Sequence, residues 1–153
     1  MTIQVSLGGE FQQLVNALNG FTDFRRKFRT TALRKMAQTH KKQIRERLLV
    51  KKSGPDGEAW KPWAASTRKK RERKGNAGQG LLVDNRKLVN SFKVAFTVSK
   101  GQLGSPLPYA AAQHHGMPDR NLPARPYAGV GRTDMTGLTK TLNDWVRDNH
   151  PFR

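Results

Sequence analysis

TDFRRKFRTTALRKMAQTHKKQIRERLLVKK, residues 22–52, reads as one long amphipathic helix. Phe24, Phe28, Ala32, Met36, His40, Ile44 and Leu48 recur every four residues, and Leu33 and Ala37 widen the stripe. Side chains at helical spacing share a face, so one side of this helix is expected in a core. The other faces carry Arg25, Arg26, Arg29, Arg34, Lys35, Lys41, Lys42, Arg45 and Arg47. Thr22 or Asp23 is the expected cap, and the helix should end near Lys52, before Gly54-Pro55.

Ahead of this helix, Ile3 and Val5 alternate with Gln4 and Ser6, the period of a short strand that Gly8-Gly9 ends. Phe11, Leu14, Val15 and Leu18 return to helical spacing, with Gly20 as the expected stop. Beyond it, residues 53–80 read as a loop. Ser53-Gly54-Pro55-Asp56-Gly57 is turn chemistry, and Trp60-Lys61-Pro62-Trp63 sets two aromatics around a proline. A basic block, Arg68 to Lys74, runs into the glycine-rich stretch Gly75 to Gly80, so residues 64–80 are expected to be mobile.

The second half is more regular. Arg86 to Asn90 suits one helical turn. Phe92, Val94, Phe96 and Val98 alternate with polar or small residues, a half-buried strand running to Ser99. Lys100-Gly101 turns it into a hairpin partner at Gln102–Ser105. Tyr109 to His115 is a short alanine-rich helix stopped by Gly116, and residues 117–132 are loop. Thr133 or Asp134 should cap a last helix burying Met135, Leu138, Leu142, Trp145 and Val146, before Pro151 closes the chain. Hairpin-connected strands beside segregated helices make an α+β fold. A small antiparallel sheet would be packed by the long N-terminal helix and the C-terminal helix, in one domain spanning 1–153. The open edges of such a sheet invite pairing with another copy.

Composition narrows the function classes. The 153 residues carry Lys+Arg 29 against Asp+Glu 11, a net +18, which favours polyanionic partners. The excess is uneven: Arg25 to Lys74 holds 19 Lys/Arg and 4 Asp/Glu, a net +15. There are no cysteines, which excludes disulfides and thiolate metal sites. No apolar run approaches the roughly 20 residues that span a bilayer. Met-Thr-Ile-Gln-Val has no secretion-signal pattern, so a cytosol-like compartment is expected.

Four stretches, in order, resemble the phage virion morphogenesis or tail-completion family of Mu-like tailed phages. Pro55-Asp56-Gly57-Glu58-Ala59-Trp60-Lys61-Pro62-Trp63, with Thr67, is similar to its P-x-G-x-x-W-x-P pattern. Leu81 to Phe92 resembles L-x-x-[ST]-G-x-L-x-x-S, with Arg86-Lys87 where the family has a small residue or glycine. Tyr109-Ala110 through Gln113-His114-His115-Gly116 resembles Y-A-x-x-H-Q-x-G. Leu122-Pro123-Ala124-Arg125-Pro126-Tyr127-Ala128-Gly129 is similar to [IL]-P-A-R-P-[FY]-x-G. Together they cover roughly residues 53–130. The resemblance implies a structural virion protein without catalytic activity or cofactor. It implies a neck or tail-completion subunit, assembled in the host cytoplasm as a ring, commonly a hexamer, around the DNA path at the head–tail junction. The implied partners are further copies, a tail tube or terminator protein and a head connector, with packaged DNA met by non-specific electrostatics and no membrane.

The candidate contact residues divide in two. Arg68, Lys69, Lys70, Arg71, Arg73 and Lys74 either meet phosphates in a channel, or form a solvated, disordered loop, or pair with acidic neighbours in the assembly. Trp60, Trp63, Tyr109, Arg125, Pro126 and Tyr127 are candidates for a subunit interface or for anchoring loops. Base stacking by Trp60 and Trp63 is the less favoured reading, given the proline between them. Arg125, held between Ala124 and Pro126, suits a bidentate carboxylate or carbonyl contact. His114-His115, with His40 and His150, suggests metal binding only weakly, because adjacent helical side chains diverge by about 100°, and a structural or interface role is the favoured reading. Asp56 and Glu58 lie on a turn with no third group to complete a catalytic set. The rival reading is a free-standing basic nucleic-acid-binding protein, although no helix-turn-helix, zinc-finger or RNP pattern is present.

Overall fold

A four-residue repeat does not fit an ideal α-helix. At 3.6 residues per turn each step advances about 40°, so a stripe from Phe24 to Leu48 would wind most of the way round. In the computed structural model, which describes residues 9–96 and 101–150, a wider turn within the stripe offsets part of this drift. Helix α1 (Gly9–Lys27) passes through a π turn at Phe28–Ala32 into α2 (Leu33–Glu46). A second π turn at Arg47–Lys51 follows, and the backbone stays right-handed and helical at every junction until Lys52 turns left-handed. A π turn spends more residues per revolution, which narrows the spread of the stripe. Phe24, Phe28, Met36 and His40 are half-buried, and Ala32, Ile44 and Leu48 are buried. At the first π turn the Thr30 and Thr31 hydroxyls donate back to the Arg26 and Lys27 carbonyls (3.0 and 2.7 Å).

Two expectations fail here. Gly20 does not stop the helix, and neither Thr22 nor Asp23 caps a new one, because α1 runs through all three. An interior glycine costs only about 1 kcal/mol relative to alanine, which a helix continuing on both sides tolerates. The expected strand at residues 2–6, the side chains of Phe11, Leu14 and Val15, the hairpin connection at 97–100 and Pro151 lie outside the described residues.

Helix α6 (Arg132–Asn149) runs antiparallel along this long helix. Gln43 Nε2 donates to the Asp134 carbonyl (3.1 Å), the Thr39 and Thr141 hydroxyls meet at 3.2 Å, and Trp145 Nε1 donates to Thr31 Oγ1 (2.9 Å). Trp145 is buried, with Phe24 and Phe28 at 5.4 and 5.7 Å between ring centres. The cap is Gly131, not Thr133 or Asp134; Asp134 sits one turn in and its Oδ2 accepts from the Gly131 N–H (2.9 Å). Asp134 and Leu138 therefore take the inward face. Met135, expected in the core, turns out to be 56% exposed.

Strands β1 (Lys93–Phe96) and β2 (Gly101–Gly104) form a two-stranded antiparallel hairpin against α2, with Val94 opposite Leu103 and Ala95 opposite Gln102. The α+β reading thus holds, with helices supplying most of the fold. Short helices α4 (Lys87–Ser91) and α5 (Ala110–His115) fall where their patterns placed them. Asn85 Oδ1 accepts from the Lys87 N–H (3.2 Å) at the start of α4. Arg86, standing where the resembled pattern has glycine, adopts φ +60°, a conformation that costs a side-chain-bearing residue roughly 1–2 kcal/mol.

The reading of 53–80 as loop is corrected at α3 (Ala65–Arg73), a helix without a single buried residue. It lacks apolar periodicity, but Ala, Arg, Lys and Glu are all strong helix formers. Single 3₁₀ turns lie at Ala77–Gln79 and, within the expected loop 117–132, at Pro118–Arg120. The core joins Ile44, Leu48, Trp60, Val83, Leu88, Val89, Phe92, Ala110 and Tyr127.

Candidate functional site: a loop junction and a basic helix

The residues with recognisable spacing converge. Trp60 is buried, and its indole N–H donates to the Pro126 carbonyl (2.9 Å). Arg125 is buried one residue earlier in the same loop. Its Nε donates to the Lys61 carbonyl (2.9 Å) and an Nη to the Pro62 carbonyl (3.1 Å), so the guanidinium fork grips two adjacent peptides. The Arg125 N–H donates to the Gln113 carbonyl (3.1 Å), tying the loop to α5. Burial pulls the Arg125 pKa below its ordinary value.

Tyr127 completes the junction. Its hydroxyl donates to the Ala110 carbonyl (2.7 Å), and its ring stands edge-on to Phe92 (5.8 Å) and His114 (5.0 Å). Burial, with Tyr109 nearby, pushes its phenol up to about 12. His114 Nδ1 accepts from the Tyr127 and Ala128 N–H groups (3.2 and 3.4 Å). A nitrogen that accepts has no proton, so this imidazole is neutral with its hydrogen on Nε2. Burial first, and then the charge of His115, lower its pKa. His114 is thus a structural acceptor. Among the described residues no group of three or more His, Asp or Glu could hold a metal ion.

Arg47, expected on a solvated face, is the largest departure. It is buried, ion-paired with buried Asp134, and donates to the carbonyls of Tyr127 (2.6 Å) and Gly129 (3.3 Å). Its one sequence signal was position: it lies three residues after Ile44 and one before Leu48, at the border of the stripe. Its partner, 87 residues away, carries no periodic signal. Two glycines record how tightly these segments close. A Cβ at Gly131 would lie 2.0 Å from the Pro55 carbonyl oxygen, and one at Gly116 (φ +79°) would lie 2.7 Å from the Ala124 nitrogen.

The basic block has the opposite character. Arg68, Lys69, Lys70, Arg73 and Lys74 are all exposed on or just after α3. Arg71 alone turns inward, donating to the Val83 carbonyl, approaching Asp84 Oδ1 at 3.4 Å and stacking 4.5 Å over the Trp63 ring. Trp63, Arg71, Leu88, Tyr109, Pro123 and Arg125 line a cleft of about 560 Å³ between α3, α4 and α5. Tyr109 is 41% exposed there, and Pro126 is exposed although its carbonyl is engaged. No described helix is long and apolar enough to cross a membrane.

No curated protein and no solved structure matches this chain. The model of the phage virion morphogenesis family matches residues 9–147, a span that takes in the long helix, the loop junction, α3 and α6. The chain belongs to the phage virion morphogenesis family, a family of structural proteins of the phage particle.

Proposed function

We propose that this protein is a tail-completion or neck subunit that works as a ring, six copies in the resembled pattern, around the DNA path at the head–tail junction. Its neighbours in that position are a tail tube or terminator protein on one side and a head connector on the other. Family membership supports the virion setting. The observation that carries the DNA-path reading is the exposed quintet Arg68, Lys69, Lys70, Arg73 and Lys74, held on a helix that spends no side chain on a core except Arg71. A set of exposed cations on a helix suits passing phosphates, because each engaged charge releases counterions without reading sequence.

Mass in solution and composition of purified virions test this reading. The expected result is a ring-sized oligomer and a stoichiometric band in the particle. A chain that is monomeric at every concentration and absent from virions contradicts it. A salt titration on duplex DNA separates the rival, a free nucleic-acid-binding protein: tight, saturable binding at physiological salt by the isolated chain would favour that rival, and weak binding that fades steeply with salt fits a channel-facing surface.

A further inference from the structure

We propose that duplex DNA meets a second phosphate-contacting surface on this chain, the outer face of α2, joined to α3 through the cations of α4. This rests on the reading that the chain lies along the DNA path. The face follows from helical spacing. Thr39 and Gln43 turn to α6, and Ile44 turns to the core. Arg34, Lys35, Gln38, Lys41, Lys42 and Arg45 are left on the third side, in an arc of about 120° at 100° per residue. They span about 16 Å of helix axis. Arg34, Lys35, Gln38 and Lys42 are exposed, while Lys41 and Arg45 are half-buried, as long cationic side chains are when their stems pack and their heads reach water.

Nothing acidic answers these charges. The sequence has no Asp or Glu from Phe24 to Arg45. Among the described residues Lys35, Lys41, Lys42 and Arg45 have no acidic partner, whereas Lys140 and Arg147 on α6 both pair with Asp144. The chemistry of the arc selects a phosphate backbone over a protein. It has no apolar side chain, and the centre of a protein interface is apolar and poor in lysine. Arg, Lys and Gln are side chains that meet phosphate oxygens. A second copy would set like charge against like.

Helix α4 links this face to α3. Arg45 donates to Asn90 Oδ1 (3.0 Å) near one end of α4. At the other end, Lys87 lines the same cleft as Arg71 of α3. The Asn90 N–H donates to the Arg86 carbonyl (3.0 Å), so Arg86 and Asn90 lie one turn apart. Arg86 is exposed at φ +60°, and its side chain has no hydrogen bond or ion pair among the described residues. Backbone strain of this kind gathers at binding sites, and a phosphate outside the fold gives this cation a use that the fold does not.

The test is binding of the full chain to a duplex DNA of mixed sequence across a salt series. Each phosphate contact contributes about 0.9 to the slope of log affinity against log salt. Lys35→Gln, Lys41→Gln, Lys42→Gln and Arg45→Gln together should flatten that slope by about 3–4. Arg120→Gln, Arg132→Gln, Lys140→Gln and Arg147→Gln, the same change in charge, should flatten it by less than about 1. Equal flattening in both means diffuse attraction by net charge and overturns the proposal. An unchanged slope in the α2 variant overturns it too, and if glutamine at Arg68, Lys69, Lys70, Arg73 and Lys74 still flattens the slope, the DNA-path reading stands. A wild type that binds no duplex at low salt overturns both. An α2 variant that keeps the DNA slope but loses binding to poly-glutamate assigns the face to an acidic protein instead. The chain has no native cysteine, so a thiol-directed photo-crosslinker can be placed singly, which keeps the test open should the fourfold variant fail to fold. On Lys42→Cys it should capture the duplex and on Lys140→Cys it should not; no capture at Lys42→Cys, or equal capture at both, overturns the proposal.

Discussion

Loop 122–129 and helix α3 are of similar length, yet they are held in opposite ways. The loop has no regular secondary structure, but Arg125 and Tyr127 are buried and nearly every residue from Ala124 to Gly129 lends a group to Trp60, His114, Arg47 or the 61–62 backbone. Helix α3 is regular, has no buried residue, and is joined to the body through Arg71. The contrast teaches that the residues with recognisable spacing build the scaffold, whereas the residues without periodicity form the presented surface. Patterned residues are constrained by mutual geometry. A charge-bearing surface needs only enough cations in roughly the right place.

The largest effect that can break this comparison lies at Arg47. Arg47→Ala leaves Asp134 buried without its partner and two loop carbonyls without a donor, which should cost about 3–5 kcal/mol in a urea melt. A loss under about 1 kcal/mol would mean that the junction is not anchored through the long helix. Next comes Arg125→Ala, which strips donors from the Lys61 and Pro62 carbonyls and should cost about 1–3 kcal/mol by the same measurement. Arg71→Ala should act differently, releasing α3 alone. Amide exchange in Ala65–Arg73 should accelerate to near the unprotected rate, while global stability falls by only about 1 kcal/mol. Equal loss of protection across the loop junction would erase the distinction between the two regions.

The smallest effect is a pH dependence. His114 is held neutral, with a folded pKa below its ordinary 6.5. Its contribution is complete above that value and is lost as pH falls toward the folded pKa, because the unfolded chain takes the proton first. The thermal midpoint should therefore drop on acidification below about 6.5. In His114→Asn, whose Oδ1 keeps an acceptor near the Nδ1 position, that component should vanish while other acidic losses remain.

Much of this was legible in the sequence, and the failures share a cause. The apolar stripe, the hairpin partners, α4 and α5 follow from local period and turn residues, and they fall close to where those signals put them. The continuity of α1 through Gly20 was missed because a single glycine is a modest cost and not a stop. Helix α3 was missed because its residues favour helix individually yet present no periodic face. The partners Arg47 and Asp134 were missed for a deeper reason: each takes its role from a group far along the chain, and no local pattern announces such a partner. Met135 failed with them, since the inward position on its turn had already gone to Asp134.

The division into a buried scaffold and a presented basic helix is tested most directly by replacing Arg68, Lys69, Lys70, Arg73 and Lys74 with glutamine, leaving Arg71 in place, and supplying this variant to a phage that lacks the gene. The account predicts an unchanged melt, within about 0.5 kcal/mol, together with a collapse in infectious titre from particles that fail to join or to retain DNA. Normal titres from the neutralised helix would contradict it.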